Sequence, residues 1–294
     1  MTAKRTLAEN LAFAKARGTA AKKVAQKPTK SEQLALPFWP AEVRGVPNAV
    51  LRGALFTVSQ EREMFKELTP VAAVDGIEIS VQNARLNQHD LDLFEMLLHV
   101  QREQPLGAPV HFTSHSLLKA LGRGTSGQDH KELQNDMARL IGSVVKIHWT
   151  AERKTFMGSL VERAYIDEDT DHWVVEFSRD LMVMYSQGHT WINWEDRKAL
   201  GRNLIAKWAH GFYTSHAKPF AYSLDYLWKL SASAAKRKEF RRKFGIALDK
   251  LVELGSIESW TIDANDLVHV KRRPTPSQRK HLALAKPKVI HKKG

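Results

Sequence analysis

Alternating apolar and polar positions predict a β-hairpin over residues 71–81, VAAVDGIEISV, where Asp75-Gly76 supplies a turn pair suited to positive φ. A short strand is predicted upstream at residues 54–58, ALFTV. From Asn87 the apolar positions recur every three or four residues, which predicts an amphipathic helix whose apolar face is Leu91, Phe94, Leu97 and Leu98. The pattern therefore predicts a mixed fold of strands and helices.

An internal repeat occupies the middle and the C-terminal third of the chain. The stretch PVHFTSHSLLKAL begins at Pro109, and PFAYSLDYLWKL begins at Pro219, 110 residues later. In each copy Thr113 or Ser223 opens a short helix, which a longer helix and two strands follow. The predicted order of helix, short strand, helix, helix and hairpin is that of a winged helix-turn-helix. We therefore predict an α+β fold with tandem winged helix-turn-helix domains.

Each copy has a third helix with an apolar stripe and, after it, a hairpin or wing. In the first copy the wing strands are predicted within residues 156–166 and 172–177, around a turn at 167–171. In the second copy the third helix is predicted over residues 234–254 and the wing turn at 263–266. The apolar stripes are Leu133, Met137, Leu140 and Ile141 in the first copy, and Phe240, Phe244, Ala247, Leu251 and Leu254 in the second.

The net charge of +13 is concentrated at the two ends of the chain. Residues 1–32 carry a net charge of +6 and residues 271–294 carry +9, whereas residues 33–270 carry −2. Basic tails commonly bind polyanions, most often nucleic acid, although a role in solubility alone is the alternative. The predicted division is a disordered basic tail at 1–30, a short peptide at 31–42, winged-helix domains at 43–188 and 189–273, and a second disordered basic tail at 274–294.

The third helix of the second copy carries the strongest candidate chemistry. Residues 234–243, AAKRKEFRRK, contain six basic residues and one Glu, and helical spacing places Lys238, Arg242 and Gly245 opposite the apolar stripe. In a helix-turn-helix this face enters the major groove, where Arg pairs with guanine and basic side chains hold phosphates. The alternative is an ordinary solvated face. The residues predicted to contact DNA here and at the end of the wing are Lys236, Arg237, Lys238, Arg241, Arg242, Lys243, Lys271, Arg272 and Arg273.

The third helix of the first copy, GQDHKELQNDMARL, has two basic and three acidic residues. The wing tip at 167–171 carries four carboxylates, which phosphate repels, so this wing is predicted to face protein or water. Most of the salt-dependent affinity for DNA is therefore expected from the second copy and the tails. The outward residues of this helix, which could read bases or form a solvated face, are Gln128, Lys131, Asn135 and Arg139.

Catalytic and metal-binding motifs are missing or out of context. The chain has no Cys, no P-loop motif and no His-apolar-His pair of the kind that a nicking initiator needs. GRGTSG at 122–127 matches a dinucleotide-loop pattern, but a helix precedes it, so it is predicted to be a turn between helices. His111 is predicted on a strand, which argues against a metal pair with His115. We expect a cytoplasmic binding protein rather than an enzyme, with no metal, no cofactor and no membrane span.

Six stretches that occur in order over residues 31–273 carry a family resemblance: QLALPFWP, VPNAVLRGALFT, DGIEI, PLGAPVHFT, TSHAKPFAYSLDYL and LVHVKR. They resemble the TrfA-type replication initiators of broad-host-range plasmids. The resemblance implies two winged-helix domains that bind direct repeats, or iterons, in duplex DNA at a plasmid origin. It also implies opening of an adjacent AT-rich segment and loading of the host replisome. The partners it implies are duplex origin DNA, single-stranded AT-rich DNA, the sliding clamp, a host initiator or helicase, and a second copy of the chain.

Two other functions fit the same residues. A winged-helix transcriptional repressor uses the same fold, and such a protein can also act on its own promoter. A DNA-bridging protein with basic tails is the third class. The DNA beside the coding region separates the first two, because direct repeats indicate an initiator and a single palindrome indicates a dimeric repressor.

The peptide QLALPF precedes the first predicted strand. From the residues alone it is either the first segment packed into the core or a ligand for a pocket on another protein. The family resemblance implies the second, since these initiators carry a Gln-Leu peptide that docks on the bacterial sliding clamp. The residues implied to dock are Gln33, Leu34, Leu36 and Phe38.

Overall fold

The computed structural model describes residues 35–275, 278–279 and 282–283. The tail predicted at 1–30 and most of the tail predicted at 274–294 lie outside these residues. The described chain is a mixed structure of helices and strands, and none of its helices is long and apolar enough to cross a membrane. Two clusters of buried apolar side chains form its cores: one lies between Leu36 and Trp194, and the other combines Val58 with side chains between Leu200 and Val270.

The N-terminal part contains a hairpin whose turn residue Gly76 has φ +87°, as predicted, but its first strand ends at Val71, so residues 72–74 belong to the connection rather than to the strand. The strand predicted at 54–58 is only two residues long. Residues 54–58 are all buried, so the apolar run there marks a core position rather than the length of a strand. The elements of this part are, in order, β1 (Val43–Pro47), α1 (Asn48–Leu51), β2 (Phe56–Thr57), β3 (Met64–Val71), β4 (Ile77–Ala84) and β5 (Leu86–Asn87).

Helix α2 (Gln88–Gln101) starts at the position that the change of period predicts. The side chain of Asn87 accepts a hydrogen bond from the backbone N–H of His89, and Asp90 accepts one from the backbone N–H of Asn87. These bonds satisfy backbone donors that have no partner within the helix. The helix is buried along most of its length, including its charged residues, so it is a central element of the first core.

The first copy of the repeat contains an insertion that the sequence pattern did not predict. The segment 156–166, predicted as one wing strand, belongs to two sheets. Its beginning lies in a strand, β8, that pairs with the preceding strand, β7, and completes a sheet of order β3-β4-β7-β8. Only its end joins the wing, in a second sheet of order β6-β10-β9. The elements are, in order, β6 (Val110–Thr113), α3 (Ser114–Ala120), α4 (Gly127–Gly142), β7 (Val144–Trp149), β8 (Lys154–Gly158), β9 (Arg163–Asp167) and β10 (His172–Glu176).

The connection between the two copies folds back on the start of the chain. A 3₁₀ turn at Arg179–Leu181 leads into α5 (Met182–Ser186), β11 (His189–Asn193) and α6 (Trp194–Ala199). Strand β11 pairs antiparallel with β1, so the beginning of the segment predicted as the second domain lies against the first strand of the chain.

The second copy follows the predicted order without an insertion. Its three-stranded sheet has the order β12-β14-β13, which matches the order β6-β10-β9 of the first copy. Gly255, with φ +71°, follows the end of its long helix, as a left-handed cap requires. The elements are, in order, α7 (Leu204–Thr214), β12 (Tyr222–Ser223), α8 (Leu224–Leu230), α9 (Arg237–Glu253), β13 (Ser259–Ile262) and β14 (Leu267–Lys271).

Candidate nucleic-acid interface

The predicted basic face lies on the exposed side of α9. The opposite side is the apolar stripe, and Phe240, Phe244 and Leu251 on it are fully buried in the second core. Gly245 is packed rather than open, because a Cβ there would lie 3.2 Å from the ring of Trp260. The six cations at the start of α9, which we call the basic face, are exposed: Lys236, Arg237, Lys238, Arg241, Arg242 and Lys243.

Two arginines of the basic face are paired with carboxylates outside α9. Arg237 donates to Asp225, in the first turn of α8, and to Asp266, in the turn between β13 and β14. Arg241 donates to the other oxygen of Asp266. These bonds lower the pKa of Asp266, with the bond from Arg237 the larger cause. The two helices and the wing turn are therefore joined at the place where the basic face begins.

The remaining cations of the basic face have fewer partners. Arg242 donates two hydrogen bonds, of 2.8 and 3.2 Å, to Glu239, and Lys243 lies 3.4 Å from the same carboxylate. The hydrogen bonds from Arg242 are the main reason that the pKa of Glu239 is lowered to about 2. Within the described chain, Lys236 and Lys238 have no carboxylate partner. Six cations thus meet three carboxylates, which leaves a net charge near +3 rather than the +5 read from residues 234–243.

The basic residues predicted at the end of the wing have different roles. Lys271 and Arg273 both pair with Glu258 at the surface, at 3.2 and 2.9 Å. Arg272 is turned inward instead: its Nη1 donates to the backbone oxygens of Thr214 and His216, at 3.3 and 2.8 Å. Burial lowers the pKa of Arg272. The assignment of Arg272 as a DNA contact is therefore corrected, because its guanidinium fastens the end of β14 to the end of α7.

One of the four residues predicted on the outward face of α4 does not point outward. Gln128, Lys131 and Asn135 are exposed, and Gln128 donates to Glu132 at 3.1 Å. Arg139 instead donates to Asp90 at 2.9 Å and also pairs with Asp136. The attraction of two largely buried carboxylates explains this orientation, which the spacing along α4 alone could not show.

The wing of the first copy is acidic, as its sequence indicates, and part of it is structural. Asp167 accepts hydrogen bonds from the backbone N–H groups of Asp169 and Thr170, which shape the turn. Asp171 has φ +55° and accepts from the backbone N–H of His115, at the start of α3. Glu168 and Asp169 are exposed at the tip. The two wings therefore differ in charge as well as in sequence.

A buried polar network joins α2 to α6 and α7, and sequence reasoning did not find it. Arg197 is fully buried, and its Nε lies 2.7 Å from Asp92 and 3.1 Å from Glu95. Lys207 also pairs with Asp92. Burial raises the pKa of Glu95 to about 7, and neither of its oxygens accepts a hydrogen bond within the described residues. The only local signal was the presence of two carboxylates, at residues 92 and 95, in the otherwise apolar run 91–98 of this helix.

Arg197, Lys207 and Asp92 also line a cleft of about 620 Å³ beside α4. Asn135 and Arg139 of α4 line the same cleft, as do Lys198 and Arg202, which follow the first copy. The outward side of α4 thus opens onto a polar groove of mixed charge rather than onto a basic surface.

The N-terminal peptide is partly packed into the protein. Leu36 is 4% exposed and belongs to the first core, and Ala35 forms an isolated β-bridge with Pro105. Phe38 is 74% exposed, whereas the next residue, Trp39, is fully buried. Gln33 and Leu34 lie outside the described residues. The interpretation of the peptide as a wholly free ligand is therefore corrected at Leu36, while Phe38 is accessible.

The described residues contain no group of three or more His, Asp or Glu side chains that could hold a metal ion. His111 lies on β6 and His115 on α3, in agreement with the sequence interpretation.

The arrangement of helices and sheets recurs in a solved structure. A crystal structure of domains 2 and 3 of RctB matches with a TM-score of 0.52 and 10% sequence identity, covering 77% of this chain and 98% of that one. A second crystal structure of the same two domains gives a TM-score of 0.48 at 12% identity, over 73% and 92% of the two chains. At this identity the first match shows a shared fold and nothing more.

The chain belongs to the TrfA protein family, whose model matches residues 1–272. A relative, the plasmid replication initiator protein TrfA of Escherichia coli, is 26% identical over 286 residues, which cover 92% of this chain and 73% of that protein. The family resemblance seen in the six short stretches is thus confirmed.

Proposed function

We propose that this protein is a plasmid replication initiator that binds direct repeats of duplex DNA at its origin through the basic face of α9. The proposal rests mainly on α9, the long helix that follows α8 and a turn. Six cations at its start are exposed, and the apolar stripe on its opposite side is buried in the second core. Membership of the TrfA family and the name of the Escherichia coli relative support the role in replication.

Both copies of the repeat are proposed to be winged helix-turn-helix units. Their element order, which matches apart from the inserted β7 and β8, and their matching sheet orders, β6-β10-β9 and β12-β14-β13, support this. In such a unit the helix after the turn enters the major groove. We therefore propose that α4 and α9 each enter the major groove, at two successive stretches of one DNA repeat. Because α4 carries an acidic excess and its Arg139 is engaged by Asp90 and Asp136, α9 supplies most of the electrostatic affinity.

Titration of labelled DNA tests this proposal. The probes are the repeats beside the coding region and a scrambled duplex, each measured at several salt concentrations. Lys238→Ala should weaken binding to both probes and lower the salt slope by about one unit, since Lys238 neutralises phosphate. Arg242→Ala should cost about 1–3 kcal/mol on the repeats and relax discrimination at one or two base pairs. The matched control is Lys250→Ala, in the last turn of α9, which should change neither quantity.

Two results would contradict the proposal. Equal losses for Lys238→Ala and Lys250→Ala would mean that the basic face does not contact DNA. Binding to one inverted repeat over the promoter, with no preference for direct repeats, would favour the transcriptional repressor.

Opening of an AT-rich segment and recruitment of a host initiator or helicase are proposed to follow binding. After opening, the protein would hold the single-stranded AT-rich DNA. Opening the duplex in this way needs no catalytic step by this chain. Permanganate reactivity of thymines beside the repeats measures the opening. It should appear with the wild-type protein and be lost with Lys238→Ala at protein concentrations that no longer fill the repeats.

The N-terminal peptide is proposed to dock on the bacterial sliding clamp after a local rearrangement. Phe38 is already available, but Leu36 must leave the first core before it can enter a pocket on the clamp. Burial of one Leu side chain contributes about 1.5–3 kcal/mol, so the folded protein should bind the clamp more weakly than the isolated peptide does.

Clamp binding is tested with a synthetic peptide of residues 30–42 and with the full chain. The peptide should bind at least tenfold more tightly, as the burial of Leu36 requires. Phe38→Ala should abolish binding in the full chain. The matched control is Phe220→Ala, since Phe220 is another strongly exposed aromatic residue, at 72%. Equal binding by Phe38→Ala and wild-type chains would end the clamp proposal and leave Leu36 as a core anchor alone.

A further inference from the structure

Asp266 is placed to control two arginines of the basic face at once. One of its oxygens accepts from Arg237, at 2.5 Å, and the other accepts from Arg241, one helical turn further along α9. Arg237 also donates from its Nε to Asp225. Two arginines and two aspartates thus form a neutral cluster within a surface that is otherwise positive. A surface built only for attraction to phosphate would leave these arginines unpaired.

The backbone holds Asp266 firmly at this position. It has φ +58° in the turn between β13 and β14, and its carbonyl oxygen accepts from the backbone N–H of Leu224, at 2.9 Å. Its own N–H donates to the carbonyl of Asp263, at 3.1 Å. The side chain of Asp263 accepts from the backbone N–H groups of Asn265 and Leu267, at 2.9 and 3.0 Å. The backbone at Asp266 is therefore held in place, which limits the positions that its carboxylate can take beside α9.

We propose that Asp266, assisted by Asp225, determines the DNA specificity of the basic face by positioning Arg237 and Arg241. The inference rests on the proposed binding of repeats by α9. The bond to Asp266 uses the Nη1 group of Arg241 alone, and no other N–H of Arg241 has a partner within the described chain. Arg241 is therefore oriented while keeping donors for a base edge, where a planar fork pairs bidentately with guanine.

Two physical effects favour the correct sequence over random DNA. An arginine that is already oriented loses less rotamer entropy when it binds an acceptor. This gain in affinity arises only on a sequence that places the acceptor where the oriented guanidinium can reach it. The two carboxylates also cancel the charge of the two arginines, so phosphates of any sequence attract this part of the surface weakly. Both effects raise the ratio of cognate to non-cognate affinity, and neither requires tighter binding overall.

The first test is Asp266→Asn, because Asn tolerates a left-handed backbone and preserves the shape of the turn. Affinity for a scrambled duplex should rise at low salt, and its salt slope should steepen by about one to two units as the arginines become free for phosphates. The ratio of cognate to scrambled affinity should fall about tenfold, the low end of one bidentate base contact. Glu253→Gln, which removes one negative charge in the last turn of α9, is the matched control and should leave the ratio unchanged.

The second test asks whether Asp266 acts through Arg241. In an Arg241→Ala background, Asp266→Asn should lower the affinity ratio much less than it does in the wild type. Asp225→Asn repeats the first test through Arg237 in case the turn variant unfolds. A ratio that falls equally for Asp266→Asn and Glu253→Gln, or that does not change in either aspartate variant, would overturn the inference. A wild-type protein without preference for the direct repeats would instead refute the proposed function.

Discussion

Glu95 gives the sharpest prediction about stability, because its carboxyl group is buried without a hydrogen bond. The nearest cation is Arg197, whose Nε lies 3.1 Å away but 2.7 Å from Asp92. Burial is the main cause that raises the pKa of Glu95 from 4.5 to about 7. The perturbation is Glu95→Gln, which keeps the shape of the side chain and removes its charge. It isolates the cost of ionising this position in the folded state.

The size of the effect follows from the difference between the folded and unfolded pKa values. The pKa of Glu95 is higher in the folded protein than in the unfolded chain. Its contribution to the unfolding free energy is therefore fully present below pH 4.5 and is lost as the pH rises through 7. The difference of about 2.5 units corresponds to about 3 kcal/mol of unfolding free energy. The unfolding free energy of Glu95→Gln should therefore rise relative to wild type by about 2–3 kcal/mol between pH 5 and pH 8, the part of the total that falls in this window.

Urea denaturation at half-unit steps from pH 5 to pH 8 measures this difference. Other titrating groups, such as the buried His210, are common to both proteins and largely cancel in the difference. Glu253→Gln, at an exposed position in the last turn of α9, is the control for removing a carboxylate outside the buried network. A constant difference between Glu95→Gln and wild type would refute the reasoning, and one that falls with pH would show in addition that the ionised Glu95 is a net favourable partner of Arg197.

Three further predictions test the fold and the two copies of the repeat. Neutralising the tip of the first wing with Glu168→Gln and Asp169→Asn should not weaken binding to the repeats, since these carboxylates oppose phosphate; titration at low salt measures it. Arg139→Ala should lower the unfolding free energy by about 1.5–3 kcal/mol, because Asp90 and Asp136 lose hydrogen bonds from one cation but keep their ion pairs with Arg62 and Arg123, and it should affect DNA binding less than Lys238→Ala does. Gly45→Ala should cost about 1–3 kcal/mol in thermal unfolding and change the tryptophan emission, because a Cβ there would lie 2.5 Å from the ring of Trp39.

The sequence by itself determined the elements whose signals are local. Helix α2 begins after Asn87 because a side-chain cap and an apolar period of three to four residues act within one stretch of chain. The turn at Gly76 is equally local, since few residues other than Gly adopt its positive φ without strain. The buried stripe of α9 and the exposed cations opposite it follow from the same period. The exposure of these cations was therefore predicted correctly, whereas their role as a DNA contact stays a prediction.

Only the tertiary structure decided which groups these side chains meet. Arg241 and Asp266 are 25 residues apart, and Arg197 and Asp92 are 105 apart, so no periodicity connects them. The same holds for β8, which joins a sheet whose first strand begins 90 residues earlier (154 − 64), and for Leu36, whose burial depends on a core that later segments complete. Long-range ion pairs and strand pairs depend on how elements are brought together in space. For this reason the sequence located the basic face of α9, whereas the fold set its net charge and the orientation of its arginines.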